Sequence, residues 1–270
     1  MQFYGERLGF IKIGERAGSV VLSARAEGPD LIILKELKSA RPKPARSSGL
    51  YHVAIRFSSR RELGRVFRRL YEASTEFHGF SDHLVSEAIY LADPDGNGIE
   101  LYVDRPREQW EKFNDQIKMA TEPLDLESLV SELKGDTEAN PPIDPKTDIG
   151  HVHLHVSDLV KAEEFYHGIV GFDVTQRSYP GALFMSAGGY HHHLGVNTWA
   201  GKGAPPPPAD AVGLLRFGIV LPDGDSLEAL KNNFQELGRE MGDVSRVTTT
   251  KGAVRIVSPD GMIIELLANE

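Results

Sequence analysis

The spacing of apolar and polar positions along the chain changes period in a recurring order. In "HVHLHV" (151–156), Val152, Leu154 and Val156 alternate with His151, His153 and His155, the two-residue period of a half-buried strand. The next stretch, "SDLVKAEEFYHGIVGF", sets Leu159, Ala162, Phe165, Tyr166 and Ile169 on one helical face, with Ser157 or Asp158 as cap. Three short strands then fit "FDVTQRS", "GALFMSAG" and "HHLGVNTW". Strand, helix and three strands recur from "LLRFGIVL" (214–221) through the helix "SLEALKNNFQELG" to "MIIELLA". They recur again from "YHVAIRF" (51–57), through a helix over 60–73, to "GIELYVD". A fourth unit at the amino end is short: Met1 falls inside its helix and its first strand is absent. The expectation there is a misassigned start, a shortened chain or a strand supplied from elsewhere. An open sheet edge favours pairing between chains, hence a homodimer.

Two longer similarities organise these units. "FYGERLGF" (3–10) matches "FYHGIVGF" (165–172), and "DPDGNGIELYV" (93–103) matches "SPDGMIIELLA" (258–268), at nearly the same offset. The predicted architecture is therefore α+β, with tandem βαβββ units in two homologous halves, 1–106 and 149–270. Between them, 107–148 reads as a connector holding the helical "LDLESLVSELK" and the proline-rich, acidic "GDTEANPPIDPKTD". The basic run "SRRELGRVFRR" spaces Leu63, Val66 and Phe67 as an amphipathic helix whose arginines face water.

Strand alternation also assigns directions. Val152, Leu154 and Val156 must cover the helix layer, so His151, His153 and His155 face the opposite, concave side. By the same rule Glu265 faces inward between Ile264 and Leu266, and His191 and His193 face inward in "HHHLGVN". In the first half His52 and Glu100 face inward, with Val53, Ile55, Phe57, Ile99 and Leu101 outward. Two imidazoles and a carboxylate on convergent strands make a facial set of metal ligands with open positions beside it. His151, His193 and Glu265 are the expected set. A lone strand histidine is more often packed or solvated, and Glu265 could instead pair with Arg216; joint placement on one face carries the metal reading. His52 and Glu100 form a candidate second site, read as a vestigial or structural half.

The chain has 270 residues, no cysteine and a net charge of −9. Thiolate metal sites, disulfides and cysteine nucleophiles are excluded, and a reducing cytoplasm is the expected setting. The negative charge argues against a nucleic-acid partner. No apolar run is long enough to span a bilayer.

"GHVHLHVSDLVKAEEFYHGIVGF", "DPDGNGIELYVDRP" and "SAGGYHHHLGVNTWAG" resemble the vicinal oxygen chelate superfamily, which holds glyoxalases, bleomycin resistance proteins and extradiol dioxygenases. The likeness is greatest to its two-domain, catechol-2,3-dioxygenase-like branch. The resemblance implies paired βαβββ units wrapping a sheet around a metal-bearing cup. It carries His151 and Glu265 over as ligands. The family's other histidine falls on "LLRFGIVL", which has none, so His193 would supply the second imidazole. The implied activity is extradiol cleavage of a small catechol-type aromatic with O2. Fe(II) is the first choice of metal, with Mn(II), Ni(II) or Zn(II) as alternatives. His153 and His191 stand as catalytic acid–base residues, since imidazole titrates near neutrality. Trp199, Tyr179 and Phe184 are expected to line an aromatic pocket or pack in the core. Glyoxalase-type isomerisation and non-catalytic drug binding are the alternatives, separable by metal preference and by ligand binding without metal.

Overall fold

The computed structural model describes residues 1–138, 141–241, 247–250 and 252–269. The chain forms two compact units, one of residues 1–42 and 51–153, the other of residues 43–50 and 154–270.

In the first unit a π-helical turn, Gln2–Arg7, leads into the antiparallel strands β1 (Ile11–Arg16), β2 (Ser19–Ser23) and β3 (Ile32–Lys35). Then come β4 (Gly49–Phe57), α1 (Arg60–Glu72), β5 (Gly79–Asp82), β6 (Ser86–Ala92) and β7 (Gly98–Asp104). A small hairpin, β8 (Lys112–Phe113) with β9 (Gln116–Ile117), precedes β10 (Glu122–Pro123) and α2 (Leu126–Ser131). Strand β11 (Asp148–His155) closes the set, and the sheet runs β10-β5-β6-β7-β4-β11. The expected faces are observed. Ile55, Phe57, Ile99, Leu101 and Val103 join one core with Leu63, Val66, Phe67 and Leu70 of α1, while Ala54, Ala88 and Tyr102 pack together on the opposite side.

The "DPDG" turn is held by its own side chains. Asp93 Oδ1 accepts from the backbone N–H groups of Asp95 and Asn97, both at 2.9 Å, and the Tyr4 hydroxyl donates to Asp93 Oδ2 at 2.8 Å. Gly96 adopts φ +82°, a left-handed value that a side chain disfavours. The second half repeats this with Gly261, also at φ +82°.

Residues 107–148, read from sequence as a connector, are built into the first unit. Leu124, Leu129 and Ile143 enter its core. Gly64 of α1 makes room for α2, since a Cβ there would lie 3.3 Å from the Leu129 carbonyl oxygen. The arginines of α1 are accordingly not left in water. Arg60 donates to Glu87 and Glu132 at 2.6 and 2.9 Å, Arg65 to Asp136 at 2.7 Å, and Arg69 to the Pro141 carbonyl. Apolar spacing gives the helix; the charged face has Glu87, Glu132, Asp136 and Pro141 as its partners.

The second unit contains α3 (Leu159–Glu163), capped by Asp158, whose Oδ1 accepts from Val160 N–H at 2.8 Å. A π-helical turn, Glu164–Ile169, carries the second "FY" pair, as Gln2–Arg7 carries the first. Antiparallel β12 (Asp173–Gln176), β13 (Ala182–Ser186) and β14 (Leu194–Asn197) follow. A four-stranded sheet, β15-β18-β17-β16, comprises β15 (Arg216–Leu221), β16 (Val247–Thr250), β17 (Ala253–Val257) and β18 (Ile263–Ala268), with α4 (Gly224–Met241) between β15 and β16. No helix is long and apolar enough to cross a membrane among the described residues.

Candidate metal centre

The site forms where β7, β4 and β11 lie side by side. In the parallel β4–β7 pairing Ala54 stands opposite Glu100, so His52 and Glu100 leave the same face of neighbouring strands. β11 adds His151 from the other side of β4. His52, Glu100 and His151 are all buried, and one ligand atom from each lies within 4.8 Å of the others.

Both imidazole Nε2 atoms converge on one carboxylate oxygen. His151 Nε2 donates to Glu100 Oε2 at 3.1 Å. His52 Nε2 comes to 2.9 Å of the same oxygen. Two buried imidazole nitrogens meeting at one carboxylate oxygen is the arrangement expected of donors directed at a common point. Burial works against ionisation of Glu100, but the adjoining His151 and His52 outweigh it and hold its carboxyl well below the usual range. Two imidazoles and a charged carboxylate fit a divalent transition-metal ion.

Aromatic rings fix the ligands. Tyr102 packs on His151 with centroids 5.0 Å apart, and Tyr51 lies 4.9 Å from His52. Gly150 precedes His151 because a Cβ there would collide with the Tyr102 hydroxyl, which gives the Gly-His pair a steric reason. His153 is buried on the same face, 5.0 Å from the His52 ring and 5.1 Å from Tyr51.

Two further groups were not found from the sequence. Tyr90 is the register partner of Glu100 across β6 and β7, and its ring lies 5.6 Å from His52. His83 Nδ1 is 2.7 Å from the Ala120 carbonyl, which can only accept, so Nδ1 carries the hydrogen. In the neutral ring Nε2 is then the acceptor, and the Tyr90 hydroxyl donates to it at 2.7 Å. Alternation across the "DPDG" hairpin could have placed Tyr90 beside Glu100. His83 sits in a turn, before Leu84 at φ +69°, where no periodicity marks it.

The other expected ligands have different surroundings. Among the described residues, the group that gathers at least three potential ligands is His52, Glu100 and His151; His193 and Glu265 do not belong to it. Exposed His193 accepts from the Ala187 N–H at Nδ1, 3.2 Å away, and stacks on Tyr190 at 4.8 Å. Glu265 is engaged by Arg216 Nε at 2.9 Å and Arg255 Nη2 at 2.6 Å, the pairing with Arg216 that its position also allowed. His191 is buried with its Nδ1 2.8 Å from that of His192. Tyr179 packs on Phe184 and on Trp199, and Trp199 Nε1 donates to the Pro180 carbonyl at 3.0 Å. The alternation rule gave the facing of His151 and Glu265; it contains nothing about which strands become neighbours. His151 is matched with His52 and Glu100 because β11 lies next to β4.

A family model described as the Glyoxalase/Bleomycin resistance protein/Dioxygenase superfamily matches residues 1–101 and 148–266. The chain belongs to this superfamily. The two matched segments are the repeated halves, and the superfamily's fold accounts for the curled mixed sheets. A curated superfamily relative, catechol-2,3-dioxygenase of Bacillus subtilis (strain 168), is 42% identical over 263 residues, covering 96% of this chain and 88% of its own length. Solved structures give the same fold at low identity. A putative dioxygenase from Bacillus subtilis subsp. subtilis str. 168 has a TM-score of 0.62 at 10% identity, covering 99% of this chain and 79% of that one. Glyoxalase I from Zea mays has a TM-score of 0.52 at 15% identity, covering 99% and 86%.

Proposed function

We propose that this protein is a metal-dependent extradiol dioxygenase that cleaves a catechol-type ring with O2, using His52, Glu100 and His151 as ligands of an Fe(II) ion. The observation that carries the reading is the convergence of two imidazole nitrogens on one buried carboxylate. The 42% identical relative named catechol-2,3-dioxygenase supports the choice of reaction.

When bound, Fe(II) supplies Lewis acidity toward two vicinal oxygens and a route for electrons between ring and O2. The chain's own groups do the rest. Glu100 stays ionised because His52 and His151 face it, so it presents a charged donor without a prior proton loss. Tyr51 and Tyr102 hold the two imidazoles by ring contact, which limits their rotation. His153, beside His52 but outside the ligand group, is positioned to take a proton from the substrate hydroxyl and return it later. The Tyr90–His83 pair offers a second proton path, with the Tyr90 hydroxyl already directed at an acceptor nitrogen.

The test is oxygen uptake by protein shown to contain Fe(II), with catechol as substrate. The account expects one O2 consumed per ring opened, with a coloured ring-opened acid as product. Fe(II)-loaded protein that consumes no O2 with any simple catechol contradicts it.

A further inference from the structure

The first strand of a βαβββ unit pairs parallel with the closing strand of that unit: β4 with β7, and β15 with β18. What lies on its other side differs. β4 has β11 there, itself the first strand of the next unit, so first strand abuts first strand. β15 has no described strand on that side and ends its four-stranded sheet.

Burial records the difference. Ile55 and Phe57 of β4 are 0% and 3% exposed, and Val152 and Leu154 of β11 are 7% and 1%. The matching residues of β15, Phe217, Ile219 and Leu221, are only half-buried. On the opposite face Val220 is 62% exposed, and Leu215 just before the strand is 56% exposed. The edge is not blunted either. Its register with β18 runs unbroken from Arg216 to Leu221, without the bulge, proline or lysine that keeps free edges apart. Its one charge, Arg216, is engaged by Glu265 at 2.9 Å.

The strand is also complementary to itself. Laid antiparallel on a second copy about a two-fold axis at Gly218, it sets Phe217 opposite Ile219, Leu215 opposite Leu221 and Arg216 opposite Val220. An aromatic facing a β-branched side chain is a favourable cross-strand pair, and no like charges stand opposite each other. The glycine at the axis lets the two backbones approach.

We propose that β15 pairs with β15 of a second copy of this chain, joining two four-stranded sheets into one across a two-fold dimer. The contact repeats between chains what β4 and β11 do within one. Two six-residue strands make a small interface, so the association is concentration-dependent, with a dissociation constant of about 1–100 μM.

Sedimentation velocity of the full-length protein over a dilution series tests this. The expected result is a monomer–dimer equilibrium. Val220→Arg places like charges opposite each other twice per dimer and should raise the dissociation constant about tenfold. Val220→Glu instead faces the second copy's Arg216 and should leave the constant equal or lower. Loss of an apolar patch alone would weaken both variants alike. Val220 is exposed, so neither change disturbs the fold, and an unchanged thermal midpoint at low concentration checks that. A parent protein that stays monomeric up to about 1 mM overturns the proposal. So does a dimer that both variants weaken alike, or one that Val220→Arg leaves intact.

Discussion

Glu100 is buried and keeps its charge because two imidazoles face it. In the proposed centre it supplies a ligand, and its removal has a defined effect. Glu100→Gln keeps the shape but loses the charge, and metal affinity should fall more than about 100-fold, read by competition with a chelator. His153→Gln should behave differently. With the ligands intact, the metal stays and kcat falls about 100-fold or more, the usual share of a general base. Equal loss of metal in both variants would make His153 a ligand or a structural prop. The sequence made the inward facing of all these residues legible, because alternation alone decides it. It left the Tyr90–His83 bond unseen, since one partner sits in a turn without periodicity.

At the level of elements, the adjacency of β11 and β4 decides the site. Strands β4, β7, β11 and β18, helix α1 and the "DPDG" turn are readable from period and turn chemistry, whereas β8, β9 and β10 lie in the stretch read as a connector. Strand neighbours are set by long-range pairing, which a two-residue period does not encode. The two-residue period therefore groups His151 with His193 and Glu265 as readily as with His52 and Glu100. Gly150 marks the same contact from the inside. Gly150→Ala should push Tyr102 off His151 and weaken metal binding, together with about 1–3 kcal/mol of stability. The connector makes a comparable point. Acidic and proline-rich composition predicts an exposed tether, yet the α1 arginines bind it and Leu129 is fully buried. Leu129→Ala should therefore cost about 2–5 kcal/mol in chemical denaturation, where a tether would lose almost nothing.

Across the whole chain, two halves descended from one pattern have been used differently. The first keeps Tyr4 bonded to Asp93 and joins His52 and Glu100 to His151. The second keeps the turn and the closing-strand glutamate, but Arg216 and Arg255 engage Glu265, and Ser258 replaces the aspartate. Repeats and halves are visible in the sequence; the division of labour between them is not, because a glutamate looks the same whether two imidazoles or two arginines face it. Metal analysis of protein purified without added metal, across His52→Ala, Glu100→Gln, His151→Ala, His193→Ala and Glu265→Gln, bears most directly on the claim. The account predicts about one transition-metal ion per chain in the parent protein, lost in the first three variants and retained in the last two. Retention in His52→Ala and Glu100→Gln, with loss in His193→Ala and Glu265→Gln, would contradict it.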